Sequence, residues 1–154
     1  GIVPDILCLG KGLAGGLPVG CVVLREDLNI LNKGEHTSTF SGNPLVCAVA
    51  RSVLNFIVDN KLWENAKVVG EIFIDKLKKL PIESISEVRG MGLMIAMEFN
   101  SDIRNVLMRL IKKGMLCCYT SPNILRFLPP LNITTKEVEE AIEKLVASIQ
   151  DGTN

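Results

Sequence analysis

The chain has 154 residues, and 47% of them are hydrophobic, which is enough apolar material for a core. Lysine plus arginine and aspartate plus glutamate number 17 each, so the net charge gives no reason to expect nucleic acid or an anionic membrane as a partner. No apolar run approaches the roughly 20 residues that a membrane-spanning helix needs.

The cysteine content favours a reducing compartment. An odd number of cysteines lies among apolar neighbours without a CxxC pair, which predicts buried free thiols and a cytoplasmic protein. They are Cys8, Cys21, Cys47, Cys117 and Cys118. The chain opens at Gly1 without an initiator methionine or the charged start of a signal peptide, so we expect it to be a piece of a longer protein.

The first elements in chain order are two short strands on either side of a glycine-rich loop. The apolar runs at 6–9 and 21–24 are continuous, which predicts strands in a sheet that is covered on both faces. Residues 27–42 then form a polar loop, long enough to need a functional explanation. Because Asn43 is a good N-cap and Pro44 suits the first helical position, a helix is predicted from there to about Asn60.

A second helix is predicted from Leu62 to just before Pro81, because its apolar residues follow helical spacing. The remainder alternates between strands near 85–88, 93–99, 115–118 and 124–127, a turn at 89–92 and helices at 102–113 and after Thr134. Gly114 closes the first of these helices, and a capping box of Thr134 and Glu137 opens the last. The segment from Pro81 therefore predicts a compact α+β unit.

Lys11 is the first candidate for chemistry, because it follows an apolar strand and enters a loop with five glycines. Glycine lets backbone approach a bound group closely, and a lysine that is desolvated there is a candidate nucleophile. The loop has neither the P-loop nor the dinucleotide-binding spacing. The alternative is a glycine-rich turn with an exposed lysine.

A second candidate is the hydroxyl-rich loop before the first helix. Thr37, Ser38, Thr39 and Ser41 precede a helix N-terminus, whose free N–H groups favour an anion such as phosphate. The alternative is that these hydroxyls only cap the helix. His36 is the sole histidine, so the residues predict neither a catalytic triad nor a metal site.

Arg126 lies within the apolar strand at 124–127, so its side chain must point into a cleft or pair with an acid. Its planar guanidinium suits bidentate binding of a carboxylate, which is either a substrate's or a neighbour's. Arg89 admits the same two interpretations, and for Arg89 we favour a structural ion pair.

Four blocks of sequence together resemble one family. Residues 4–20, 34–45, 88–94 and 123–131 are similar, in order and spacing, to the class III pyridoxal-phosphate aminotransferases of the ornithine and acetylornithine group. The resemblance covers essentially the whole chain. It implies a mixed α/β and α+β fold of fold-type I.

The resemblance also implies a domain organisation. Residues 1–45 would be the end of the large domain that binds pyridoxal phosphate, residues 46–80 connecting helices, and residues 81–154 the small C-terminal α+β domain. Most of the cofactor domain would lie before Gly1, so we expect the chain by itself to be inactive.

The resemblance assigns roles to four residues. Lys11 matches the catalytic lysine that binds pyridoxal phosphate covalently, and Thr39 matches the residue that reaches the cofactor phosphate of the partner subunit. Ser38 would lie beside Thr39 at the substrate mouth, and Arg126 would bind the α-carboxylate of the donor and of 2-oxoglutarate. The implied enzyme is a homodimer with active sites at its interface.

The resemblance leaves several alternatives for the enzyme and its amino donor. The blocks most resemble the acetylornithine type, including relatives that act on carrier-bound lysine or ornithine in arginine and lysine biosynthesis. Such an enzyme would form a semialdehyde and glutamate. Ornithine δ-aminotransferase is the next alternative and 4-aminobutyrate transaminase the third. An aminomutase or racemase that keeps Lys11, and a non-catalytic assembly module, are the remaining alternatives.

Overall fold

The computed structural model describes residues 1–151, and the chain divides into two compact units, Gly1–Asn60 and Lys61–Asn154. None of the helices in the described part combines the length and the apolar character required to cross a membrane. The helix predicted from Asn43 falls in the first unit, and the helix predicted from Leu62 in the second. The predicted connecting region, residues 46–80, thus contributes to both units, and the domain limits given above stay a prediction.

The first unit begins with an antiparallel hairpin of β1 (Ile6–Leu9) and β2 (Cys21–Leu24). Both strands lie where the apolar runs predicted them. The expectation that they are covered on both faces is wrong for this chain, because the described residues provide only two strands here, and these pair with each other. The side chains of Ile6 and Val22 are consequently 55% and 59% exposed.

The hairpin is followed by a polar loop and by helix α1 (Pro44–Asp59). Asn43 caps this helix as predicted, because its Oδ1 accepts hydrogen bonds from the backbone N–H groups of Leu45 (3.0 Å) and Val46 (3.3 Å). The predicted apolar stripe of α1 is half-buried. Its members are Val46, Val49, Val53 and Ile57.

The second unit is an antiparallel sheet of four strands in the order β3-β4-β6-β5, with three helices. Its elements are α2 (Leu62–Lys78), β3 (Ile85–Met91), β4 (Met94–Phe99), α3 (Arg104–Lys112), β5 (Cys118–Ser121), β6 (Ile124–Phe127) and α4 (Thr135–Gln150). The capping box that was predicted at the start of α4 is present, with Thr134 and Glu137 bonding each other's backbone N–H groups.

Alternation of burial along β4 and β6 gives the sheet one core face. Ile95, Met97 and Leu125 are fully buried, whereas Ala96 and Arg126 between them are half-buried. The buried side chains join those of the helices in one cluster, to which Phe73, Leu110 and Leu145 contribute. Side chains at the alternate positions therefore lie on the opposite face, called the outer face here.

Two predicted boundaries in this unit are wrong. The turn expected at residues 89–92 is strand up to Met91, and only Gly92, with φ of +55°, forms the left-handed corner before β4. The strand expected from Met115 begins at Cys118. The apolar run misled the second prediction, because Met115 and Cys117 pack against the core from a connecting segment and not from the sheet.

The prediction of buried cysteines is also wrong. All five cysteines are free thiols, and four of them are exposed; only Cys117 is partly buried. Cys8 and Cys21 lie on the two-stranded hairpin, where no further layer of the described chain covers them. Apolar neighbours in sequence thus do not imply burial when the strand has no second layer.

Candidate functional site

Lys11 begins a short 3-10 helix, Lys11–Ala14, in the loop that joins β1 to β2. Its backbone is left-handed, with φ of +53°, a conformation that costs a residue with a Cβ about 1–2 kcal/mol. The side chain is exposed, and within residues 1–151 it forms no hydrogen bond or ion pair. Strain of this kind persists where the surrounding structure fixes it, and it is common at functional sites.

The glycine loop is fixed by its packing on helix α1. Ala14 is fully buried, and the space that a Cβ on Gly15 would occupy lies 3.8 Å from a methyl group of Val53. Gly15 has φ of +59°, so glycine suits both the conformation and the packing here. Two backbone hydrogen bonds, from Leu13 to Gly10 and from Gly15 to Gly12, close the loop at 3.1 and 3.0 Å. Lys11 therefore projects from a well-supported turn.

The hydroxyl-rich loop and the end of the glycine loop enclose a hollow of about 510 Å³. Ser38, Ser41 and His36 line it from one side, and the stretch 18–20 lines it from the other. Neither Lys11 nor Thr39 is among the lining residues. The structure thus brings Ser38 next to the glycine loop and places Thr39 on the adjacent exposed turn.

The alternative interpretation, in which the hydroxyls of this loop only cap helix α1, is wrong. The Asn43 side chain occupies that role, and the turn is closed through backbone groups, with the N–H of Ser41 donating to the carbonyl of Ser38 at 3.1 Å. In the part of the chain that the structure describes, the side chains of Ser38 and Thr39 have no hydrogen-bond partner. Their hydroxyl groups are free to bind an external acceptor.

Arg126 lies on the outer face of the second unit's sheet, at the centre of β6. It pairs across the ladder with Ala96 on one side and with Cys118 on the other. Its Nε is buried and has no hydrogen-bond partner, and no described residue forms an ion pair with its guanidinium. A buried donor without a partner costs about 1–3 kcal/mol, so the position favours an anionic ligand over a structural ion pair.

A groove of about 390 Å³ surrounds Arg126 on this face. Its walls are largely apolar, and Arg89 lies at one side of it; the other side chains are those of Met91, Met94 and Ala96. An apolar groove with one free guanidinium can bind a carboxylate that carries an aliphatic chain.

Arg89 forms the structural ion pair that the sequence favoured. Its Nη1 donates to Glu87 at 2.7 Å and to Glu98 at 2.9 Å. The hydrogen bond that Arg89 donates to Glu98, and then the charge of Glu87, raise the pKa of Arg89. The two arginines in the groove therefore differ in their partners, since two carboxylates pair with Arg89 and no described carboxylate pairs with Arg126.

The four residues proposed from the sequence divide between the two units. Lys11, Ser38 and Thr39 belong to the first and Arg126 to the second. Sequence reasoning missed the two acids that hold Arg89. The alternation of β3 and β4 was a usable signal, because Glu87, Arg89 and Glu98 all fall at outer-face positions of paired strands.

Comparison with known proteins identifies the family. The family model described as "Aminotransferase class-III" matches residues 1–149. The chain is 43% identical over 146 residues to an ornithine aminotransferase of Geobacillus sp. (strain WCH70), a match that covers 94% of this chain and 37% of that protein. The chain thus spans well under half the length of this relative.

Two solved structures share the fold. An acetylornithine aminotransferase from Elizabethkingia anophelis superposes with a TM-score of 0.90 at 36% identity, over 97% of this chain and 42% of that one. An ornithine aminotransferase from Toxoplasma gondii, which has partial occupancy of pyridoxal phosphate at its active site, gives a TM-score of 0.88 at 40% identity, over 96% and 36%. The expected fold class is confirmed. Because the family match spans nearly the whole chain, the chain belongs to the class III aminotransferases, which depend on pyridoxal phosphate.

Proposed function

We propose that the whole protein moves the terminal amino group of an acetylornithine-like donor, or of a carrier-bound lysine- or ornithine-like donor, to 2-oxoglutarate. The products would be a semialdehyde and glutamate. Family membership sets the reaction class. The single observation that supports the substrate class is the buried and unpartnered Nε of Arg126. Both substrates of such a reaction are carboxylates, which an arginine without a partner can bind.

The residues present fit pyridoxal phosphate. Lys11 offers an unpaired amine on a rigid turn, and Ser38 and Thr39 offer hydroxyls without partners in the described chain. When bound, the cofactor supplies an electron sink for the bond-breaking chemistry at the substrate carbon. We infer that Lys11 holds it covalently through Nζ and that Thr39 donates a hydrogen bond to its phosphate.

We assign further roles to Lys11, Ser38 and Arg126. When it is not bound to the cofactor, the Lys11 amine would carry a proton to and from the substrate carbon. Ser38 would contact the substrate at the entrance, and Arg126 would orient it by its α-carboxylate through two parallel hydrogen bonds. We further propose a homodimer with active sites at the interface, in which Thr39 of one subunit reaches the cofactor phosphate bound to the other.

Ornithine is the second candidate donor. It is favoured by the 43% identity to the Geobacillus ornithine aminotransferase, against 40% to an acetylornithine aminotransferase of Caldanaerobacter subterraneus. Initial rates of the whole protein with acetylornithine, ornithine and 4-aminobutyrate, each with 2-oxoglutarate, decide between the donors. Activity with none of them would contradict all three free donors and leave the carrier-bound donor and the non-catalytic module as the alternatives.

The covalent role of Lys11 is tested by reducing the whole protein with borohydride in the presence of pyridoxal phosphate and mapping the modified peptide. We expect the label on Lys11 and none in Lys11→Ala. The matched control is Lys61→Ala, because Lys61 is the other non-glycine residue with a left-handed backbone in the described chain, with φ of +47°. A label that persists in Lys11→Ala contradicts the assignment.

A further inference from the structure

The outer face of the sheet contains a carboxylate that lies within reach of two arginines. Glu98 on β4 lies two residues from Ala96, and Ala96 is paired directly with Arg126 on β6 and with Arg89 on β3. Diagonal neighbours on one face of an antiparallel sheet are roughly 7–8 Å apart, within reach of long side chains. The position of Glu98 therefore permits pairing with either arginine.

Glu98 pairs with Arg89 and leaves Arg126 free. Its Oε2 accepts from Arg89 Nη1 at 2.9 Å, and its Oε1 accepts from Asn123 Nδ2 at the longer distance of 3.5 Å. The Glu98 side chain is only 33% exposed, so water screens its charge incompletely. The same carboxylate would neutralise Arg126 if it turned to the other side.

A second acid makes Arg89 necessary for this arrangement. Glu87 lies directly opposite Glu98 in the ladder, and Arg89 Nη1 donates to both of them. Like charges directly opposite each other are unfavourable, and the shared guanidinium offsets their repulsion. Without Arg89, Glu87 would repel Glu98 toward the unpaired guanidinium of Arg126.

We propose that Arg89 is a positioning residue, which holds Glu98 away from Arg126 and so keeps Arg126 open to the substrate carboxylate. The proposal rests on the carboxylate-binding role of Arg126 proposed above. When Glu98 pairs with Arg126, only the unpaired fraction of the protein can bind a carboxylate, and the apparent affinity falls by that fraction. The effect should therefore raise the KM for carboxylate substrates and leave kcat nearly unchanged.

The test compares Arg89→Gln with the double variant Arg89→Gln/Glu98→Gln in the whole protein, using KM and kcat for 2-oxoglutarate. We expect Arg89→Gln to raise KM by about fivefold, the size of a half-exposed charge pair. The double variant removes the competing carboxylate and should return KM to within about twofold of the original value. Arg104→Gln breaks a similar arginine–carboxylate pair with Asp102 elsewhere and should change neither constant.

The outcomes separate this proposal from the role of Arg126 itself. If Arg89→Gln leaves KM unchanged, or if Glu98→Gln fails to rescue it, Arg89 does not act through Glu98 and the proposal is overturned. If Arg126→Gln leaves the KM for 2-oxoglutarate unchanged, the carboxylate-binding role of Arg126 fails, and the positioning role fails with it. Equal losses of kcat in both Arg89 variants, with a lowered unfolding temperature, would indicate a structural role and contradict the proposal.

Discussion

Cys117 and Cys118 are adjacent residues in different environments. Cys117 packs against the core, and burial, with a smaller contribution from the charge of Cys118, raises its pKa from 9.0 to about 11. Cys118 is exposed on β5. A thiol whose pKa is raised on folding holds its proton more tightly in the folded state than in the unfolded state. Its contribution to stability is therefore present below pH 9 and is lost as the pH rises toward 11.

This contribution predicts a difference between two serine variants. The free energy of unfolding of the chain should fall as the pH is raised from 9 to 11, and Cys117→Ser should remove about 1–2 kcal/mol of that fall. Urea unfolding at both pH values measures the difference. Cys118→Ser is the matched control and should keep most of the dependence, because the charge of Cys118 makes the smaller contribution to the pKa of Cys117. Equal pH dependence in the Cys117 variant and the original chain would show that the Cys117 thiol is not protected by burial.

At the scale of elements, local chemistry made most of the fold predictable. Asn43 and Thr134 are side chains whose capping role depends only on the residues that follow them, and both caps form as predicted. Arg126 was recognisable as a candidate because it interrupts an apolar strand. The pair of Arg89 and Glu98 was predictable only in part, because alternation places both on one face, whereas the register that brings them together comes from strand pairing, which a local pattern does not contain. The exposure of Cys8 was missed because its apolar neighbours do not reveal that no further layer of the described chain covers the hairpin.

Gly70 shows a further limit of local reasoning. Glycine within a helix costs about 1 kcal/mol relative to alanine, so propensity gives no reason for it in α2. The reason is tertiary: a Cβ at Gly70 would overlap the backbone carbonyl of Gly92 and lie 2.9 Å from its Cα. Helix α2 therefore rests directly on the corner between β3 and β4.

This contact predicts that Gly70→Ala destabilises the chain although alanine is the better helix former. Backbone cannot move aside as a flexible side chain can, so the overlap should outweigh the propensity gain, with a net loss of about 2 kcal/mol. Thermal or urea unfolding measures it. Glu71→Ala, at the next and exposed position of the same helix, controls for the change in propensity. A Gly70 variant as stable as the Glu71 variant would mean that α2 can shift off the corner at little cost.

At the scale of the molecule, the two units differ in how much core they contain. Every member of the large buried cluster lies in the second unit, where Leu77, Leu110 and Leu145 are fully buried. In the first unit, Ala14 is the only buried hydrophobic residue among those described, and side chains such as Ile2 and Phe40 are 95% and 80% exposed. Burial of apolar area is the main favourable contribution to folding, so the second unit has a basis for independent stability that the first lacks.

We therefore expect a polypeptide of residues 61–154 to fold cooperatively, and one of residues 1–60 to remain unfolded. Circular dichroism during heating should show one sigmoidal transition for the first polypeptide and none for the second. Leu77→Ala should cost the folded polypeptide about 2–5 kcal/mol, because it leaves a cavity in the cluster. Leu116→Ala, at a leucine that is 86% exposed, should cost almost nothing. Loss of the transition in the isolated 61–154 polypeptide would mean that its cluster is stable only with residues 1–60 attached, and equal effects of the two leucine variants would mean that the transition does not report on this core.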